Sequence, residues 1–171
     1  RYDGDRRDAF TLEDEIAAKV AGSLRRSLSQ SGRAALTIDP AAYELYLRAR
    51  QIWLMMSDVE EDQASMLLER CVDLAPDFAD GWATLASVRA LLLPRDRDMI
   101  GEPAHDAAMF AAKRALELDP ECAQGFAALS LLKPAFSDHA EKLVLVNEAL
   151  KHTPNDSSLH VARAAWLYGV G

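Results

Sequence analysis

Catalysis and metal binding need particular side chains brought within a few ångströms of one another, and the reactive residues of this chain are spaced for neither. His105, His139, His152 and His160 lie far apart, without an i,i+4 partner and without a cysteine nearby. A zinc site or an H-E-x-x-H metalloprotease requires facing ligands at short spacing. His160 stands at a position that carries a ring elsewhere in the chain, so packing explains it better than ligation. Asp138-His139 with Glu141 has the residue types of acid–base chemistry. A solvated helix start with acidic caps accounts for the same residues more simply. Glu60-Glu61-Asp62 also falls at an expected helix start, where carboxylates complement the dipole. The eight glycines form no P-loop, G-x-G-x-x-G or G-x-S-x-G pattern. Cys71 and Cys122 are too few for a disulfide framework, and Cys71 replaces an alanine-like residue, so it is expected as a small buried hydrophobe. No catalytic residue, metal ligand or cofactor is expected.

If the chain does no chemistry, its elements must serve something else. Half of its 171 residues are hydrophobic and 27% are charged, an ordinary globular composition. Ala and Leu dominate over the strand formers, which favours helices. Its 19 basic and 27 acidic residues give a net charge of −8, the opposite of a nucleic-acid footprint. There is no apolar run of transmembrane length and no secretory signal, so membrane insertion is not expected. The chain starts at Arg1 rather than methionine, which points to a piece of a longer protein.

Residues 1–10 are polar. Thr11 is a plausible N-cap, with Glu13, Asp14 and Glu15 in the first turn. Leu12, Ile16, Val20, Leu24 and Leu28 then form one apolar stripe, so an amphipathic helix is expected over about 11–30. Asp39-Pro40 marks the next start, with proline at the first helical position. Ala42, Leu45, Ala49, Ile52 and Met56 form its inward stripe, and Tyr46, Arg50 and Trp53 an adjacent face. After a break at Ser57-Asp58, helices are expected through Ala64–Leu74, Trp82–Leu93, Ala104–Leu118, Glu121–Lys133, Asp138–His152 and Asp156–Tyr168. Pro94–Pro103 reads as a loop.

Three of the boundaries repeat. Arg70-Cys71-Val72-Asp73-Leu74-Ala75-Pro76, Arg114-Ala115-Leu116-Glu117-Leu118-Asp119-Pro120 and Glu148-Ala149-Leu150-Lys151-His152-Thr153-Pro154 are followed by small Ala79, Ala123 and Ser157. Three residues further on stand the rings of Trp82, Phe126 and His160. A repeat of this size predicts stacked helical hairpins, which commonly hold other molecules.

These residues resemble tetratricopeptide repeats. That family pairs two antiparallel helices in about 34 residues, with W-x₂-L-G-x₂-Y on the first, A-x₃-F on the second and a closing proline. Trp82-x₂-Leu85-Ala86 with Ala108-x₃-Ala112-x₂-Ala115-x₄-Pro120 is the best match. Ala64, Leu68, Cys71 and Pro76 precede it; Phe126, Leu129, Ser130, Val146, Ala149 and Pro154 follow. Small Ala86, Ala108 and Ser130 are expected where helix backbones approach closely, and large Trp82 and Phe126 in the gap toward the neighbouring hairpin. Pro120 to Pro154 spans the family period of 34 residues, whereas Pro76 to Pro120 spans 44, the extra ten falling at Pro94–Pro103. Arg89 replaces the usual tyrosine. The resemblance implies an all-α, right-handed solenoid with repeats at about 40–77, 78–120 and 121–154, a half repeat at 155–171 and one extra N-terminal helix.

Arg1-Tyr2-Asp3, Asp8-x-Phe10-x-Leu12 and Asp14-Glu15-Ile16-Ala17 also resemble the end of a TolB-like region, and Ala42-Tyr43-x₂-Tyr46-Leu47-Arg48-Ala49-Arg50 the repeat that follows it. In bacterial signalling proteins such regions often follow a class III nucleotide cyclase or a winged-helix domain. Residues 1–39 are then the end of an upstream region, and a cytoplasmic location is implied.

In tetratricopeptide arrays the first helix of each hairpin lines a concave groove. The matching positions here are Tyr46, Arg50 and Trp53, then Asp80, Ala83 and Ser87, then Gln124, Ala127 and Leu131. Ala64, Trp82, Leu85, Ala86, Ala108, Ala115, Phe126 and Ala149 are the repeat-packing residues. The lysine–asparagine set that clamps a C-terminal carboxylate in some relatives is absent, so the mixed, fairly apolar groove suits a helix better than a charged tail. The expected role is a non-catalytic interaction or regulatory module of a larger bacterial signalling protein, its partner a protein, a peptide or another copy of itself. Regulation within an adenylate or guanylate cyclase polypeptide, and plain self-association, stay open as alternatives. The leading helix over 11–30 is a further candidate occupant of the groove.

Overall fold

The computed structural model describes residues 38–55, 61–94, 100–134 and 138–168. Packing divides the chain into residues 1–38 and 39–171, and only the second unit is described below. The expected helix over 11–30, the TolB-like residues, Met56 and the Ser57-Asp58 break lie outside the described residues.

Seven helices follow one another: α1 (Pro40–Met55), α2 (Glu61–Leu74), α3 (Ala79–Leu92), α4 (Pro103–Leu118), α5 (Ala123–Leu131), α6 (His139–His152) and α7 (Ser157–Tyr168). The described residues contain no strand. Each helix packs on the next, and α3 also packs on α5. The most extensive packing pairs the helices as hairpins, α1/α2, α3/α4 and α5/α6, joined by four-residue turns at 75–78 and 119–122, with α7 packed on α6. The array is an all-α solenoid.

Local signals account for most boundaries. Asp39 caps α1: its Oδ1 accepts a hydrogen bond of 2.7 Å from the Ala41 N–H, and Pro40 needs no partner at the first position. Asp156 caps α7 in the same way, accepting from the Ser158 N–H at 2.9 Å. Gly101, at φ 81°, turns the chain into α4, whose first residue is Pro103.

The three proline turns are equivalent bond for bond. The residue before each proline (Ala75, Asp119, Thr153) donates its N–H to the carbonyl of Cys71, Ala115 or Ala149. The residue two beyond (Phe78, Cys122, Asp156) donates back to it, and the ring residues Trp82, Phe126 and His160 then donate to Phe78, Cys122 and Asp156. A ring N–H tightens two of these turns. Trp82 Nε1 donates to the Pro76 carbonyl at 2.9 Å, and His160 Nε2 lies 2.9 Å from the Pro154 carbonyl. His160 is therefore exposed and clasped to its turn, not packed as its column suggested.

Small residues hold the hairpins close. Ala64, Ala86, Ala108, Ala115 and Ala149 are all buried, as are Leu85 and Ser130. Trp82 stands edge-on to Phe110 of its own hairpin, and Phe126 stacks on His152 of its own. Both rings also border apolar clusters that reach the next hairpin, through Cys122 and Leu159 respectively. Gly125 sits at a close approach, where a Cβ would lie 3.0 Å from the Leu116 side chain and that side chain would have to give way.

Candidate functional site

The first helices of the hairpins, α1, α3 and α5, carry the expected groove residues. Arg50 of α1 is exposed, and its guanidinium lies over the Tyr46 ring at 5.6 Å. Trp53, Gln124, Ala127 and Leu131 are half-buried. Asp80, in the first turn of α3, keeps part of its surface in solvent. Neighbouring protein atoms thin its hydration and raise its carboxyl above the ordinary carboxylate value; nearby Asp119 acts the same way, and Arg50 opposes both. Arg50, Asp80 and Asp119 thus form one charged neighbourhood linking α1, α3 and the turn into α5.

Three expected lining residues, Tyr46, Ala83 and Ser87, are corrected. Tyr46 is buried, edge-on to Phe78 at 4.9 Å between ring centres. Burial pushes its phenol up to about 12, so it is an uncharged packing ring. Ser87 is also buried and donates to the Ala83 carbonyl at 3.0 Å. Ala83 itself lies in the cluster formed with Ala115 and Cys122. The covers are local: Phe78, at the entry to α3, closes over Tyr46, and Ala115 of α4 with Cys122 of the turn into α5 closes over the Ala83 column. Arg50, Asp80, Trp53, Gln124 and Leu131 remain accessible in whole or part.

The reactive residues are placed structurally. Burial pushes the thiols of Cys71 and Cys122 up to about 11, so neither is a nucleophile near neutrality. His105 is buried with Nε2 3.1 Å from the Leu132 carbonyl, tying the start of α4 to the end of α5. The side chain of Asp138 does not cap α6, and Glu141 pairs with Lys133. Arg89, at the tyrosine column, pairs with Glu69 at 2.8 Å and so links α3 to α2. Among the described residues no group of three or more His, Cys, Asp or Glu could hold a metal, and no helix is long and apolar enough to cross a membrane.

One buried group was missed by sequence reasoning. Lys142 occupies the column of Ala64 and Ala108, is 0% exposed, and holds Nζ 4.4 Å from the centre of the Trp166 ring. The signal was a lysine interrupting an alanine column. Burial lowers its pKa from 10.5, with Asp138 opposing. The native chain thus releases this proton more readily than the unfolded chain, so stability gains from this group as pH rises toward 10.5. Urea midpoints of wild type and Lys142→Met should accordingly converge or cross in favour of wild type between neutral pH and that limit. A pH-independent difference between the two would contradict the placement of the ammonium.

No family model matches the chain. Among solved structures it is similar to the TPR2AB domain of yeast Sti1, determined in a complex with pHSP90. The superposition has a TM-score of 0.54 at 17% identity, covering 90% of this chain and 55% of that one. The fold is tetratricopeptide-like. Among curated proteins, a segment of 92 residues, 52% of the chain, is 28% identical to "Putative adenylate cyclase 3" of Rhizobium meliloti (strain 1021). That match spans only 16% of the Rhizobium meliloti protein.

Proposed function

We propose that this chain is a non-catalytic protein-interaction module of a larger bacterial signalling protein, and that it receives its partner along the first-helix face. Within this reading residues 1–39 end an upstream region, 40–77, 78–120 and 121–154 are the repeats, and 155–171 is a half repeat. The observation that carries the proposal is the placement of Arg50, Trp53, Asp80, Gln124 and Leu131 on successive first helices, each at least partly accessible. Charges at the α1/α3 end would orient a partner, and the half-buried Trp53 and Leu131 would supply the apolar contact. A helix fits such a groove through anchors one or two turns apart.

In-cell photocrosslinking tests the reading. A photoreactive residue at Gln124 should yield a discrete protein adduct that Arg50→Glu together with Asp80→Lys abolishes. The same probe at Lys113, exposed on α4, should yield none. Equal labelling from both positions, or none from Gln124, would remove the groove as the binding face.

The likeness to the Rhizobium meliloti protein favours a second reading, in which the module regulates a nucleotide cyclase on the same polypeptide. Cyclic AMP formation by such a polypeptide should then change when Arg50 and Asp80 are reversed in charge. An unchanged rate would leave only the adaptor role.

A further inference from the structure

Apolar patterning does not tell α7 which way to face. Leu159, Ala162 and Trp166 stand on one side, Val161, Ala164, Ala165 and Tyr168 on the opposite side, and Arg163 is the only charge. A helix that is apolar all round has no marked face, and hydrophobic attraction has no direction. Yet α7 settles on one side: Leu159 is buried, and Ala162 and Trp166 pack with it against Val146, Ala149 and Leu150 of α6.

The pair that departs from its equivalents lies at this contact. Counted from the prolines, Lys142 and Trp166 fall on the columns of Ala64 and Val88, then of Ala108 and Leu132, four buried apolar residues. Between α6 and α7 the same columns carry a fully buried ammonium and the large ring beneath it, Nζ 4.4 Å from the ring centre. His139, one turn before Lys142, meets that ring edge-on at 6.2 Å. The indole N–H does not fix the ring. Trp166 Nε1 is buried with no acceptor among the described residues, whereas Trp82 Nε1 donates to the Pro76 carbonyl. What holds Trp166 is its π face, and a cation over that face acts in one direction only.

We infer that Lys142 is a positioning residue: by taking the Trp166 ring, its ammonium fixes the rotation of α7 on the third hairpin. Stability and placement then separate. A neutral side chain of similar length spares the desolvation of an ammonium, so it should not weaken the fold near neutral pH. What it should lose is the single placement of α7, since only the burial of apolar surface would remain to choose a face. The nearby charge of Asp138 favours the ammonium form that this role needs.

Thiol labelling of the 171-residue chain reads the rotation. Ala162 is half-buried and Ala164 exposed, so Ala164→Cys should label much faster than Ala162→Cys. Peptide-resolved mass spectrometry separates both from the buried Cys71 and Cys122. Losing a desolvated cation–π contact shifts a two-state placement by roughly thirtyfold, so Lys142→Met should shrink the ratio of the two rates by up to that factor. Its urea midpoint near neutral pH should not fall. Lys142→Arg, which keeps a cation for the ring, should restore the ratio. Trp166→Leu should shrink it as Lys142→Met does, and the two together no further, because both remove one interaction. The ring should also shift the ε-methylene protons of Lys142 upfield of the other lysines, and Trp166→Leu should abolish that shift. An unchanged ratio in Lys142→Met, a loss that Lys142→Arg fails to restore, additive losses in the double variant, or an unshifted Lys142 would each overturn the inference. So would a ratio lost together with a lower midpoint, which marks a merely structural role. The crosslinking test reads Arg50, Asp80 and Gln124, so either result stands without the other.

Discussion

Leu68→Ala should lower the stability of the array by about 2–5 kcal/mol, the range for emptying a fully packed leucine site. Leu68 is 0% exposed and is the largest residue of its column, where the following repeats carry Ala112 and Val146. It belongs to α2, which packs on both α1 and α3, so a void there loosens a helix that both neighbours lean on. In a solenoid each unit leans only on its neighbours. Amide exchange should therefore rise first in α1 and α2, with α5 and α6 less affected, and the urea midpoint should fall. Uniform loss of protection along all seven helices would mean that the array unfolds as one block. An unchanged midpoint would mean that the site is not packed as described.

Ala115→Leu should be damaging for the opposite reason. Added methylenes in a filled core cost about 1–3 kcal/mol, and more where backbone must move. Ala115 is 0% exposed and contacts a cluster shared by Ala83, Cys122 and Trp82. A Cβ built on Gly125 would lie 3.7 Å from the Ala115 Cβ, so α4 and α5 already meet near contact distance. A leucine there has to push α5 away from α4. The equivalent column reads Cys71, Ala115 and Ala149, all buried, so Ala115→Cys is the natural control and should be nearly neutral. Equal thermal midpoints for the leucine and cysteine variants would show that this junction has slack.

The two predictions separate what is local from what is not. Helix starts and stops were legible because they are set within a few residues. Asp39 and Asp156 cap through their own carboxylates, Pro40 opens a helix, and each proline turn closes through bonds spanning four residues or fewer, although Pro103, read as the end of a loop, is the first residue of α4. The small columns were legible too, because a close approach of backbones tolerates little besides Gly, Ala, Ser or Cys. Three repetitions of one pattern then implied stacking, since a lone hairpin cannot bury its apolar faces.

The groove was less legible. Its columns followed from the helical period, yet the accessibility of each member did not. Tyr46 and Ser87 lie on the expected helices but are buried, Tyr46 against the Phe78 ring. Lys142 gave a visible break in an alanine column, and nothing in the linear pattern says that Trp166, twenty-four residues on, receives its ammonium. His105 meets the Leu132 carbonyl only because α4 begins where α5 ends.

The sequence by itself thus determined an all-helical chain, its punctuation and its phase, all of which depend on bonds and sterics within one turn of helix. Only the tertiary structure decided which faces stay open, because burial is a property of neighbours. Tyr46 and Arg50 sit one turn apart on α1, yet one is buried under Phe78 and the other is exposed.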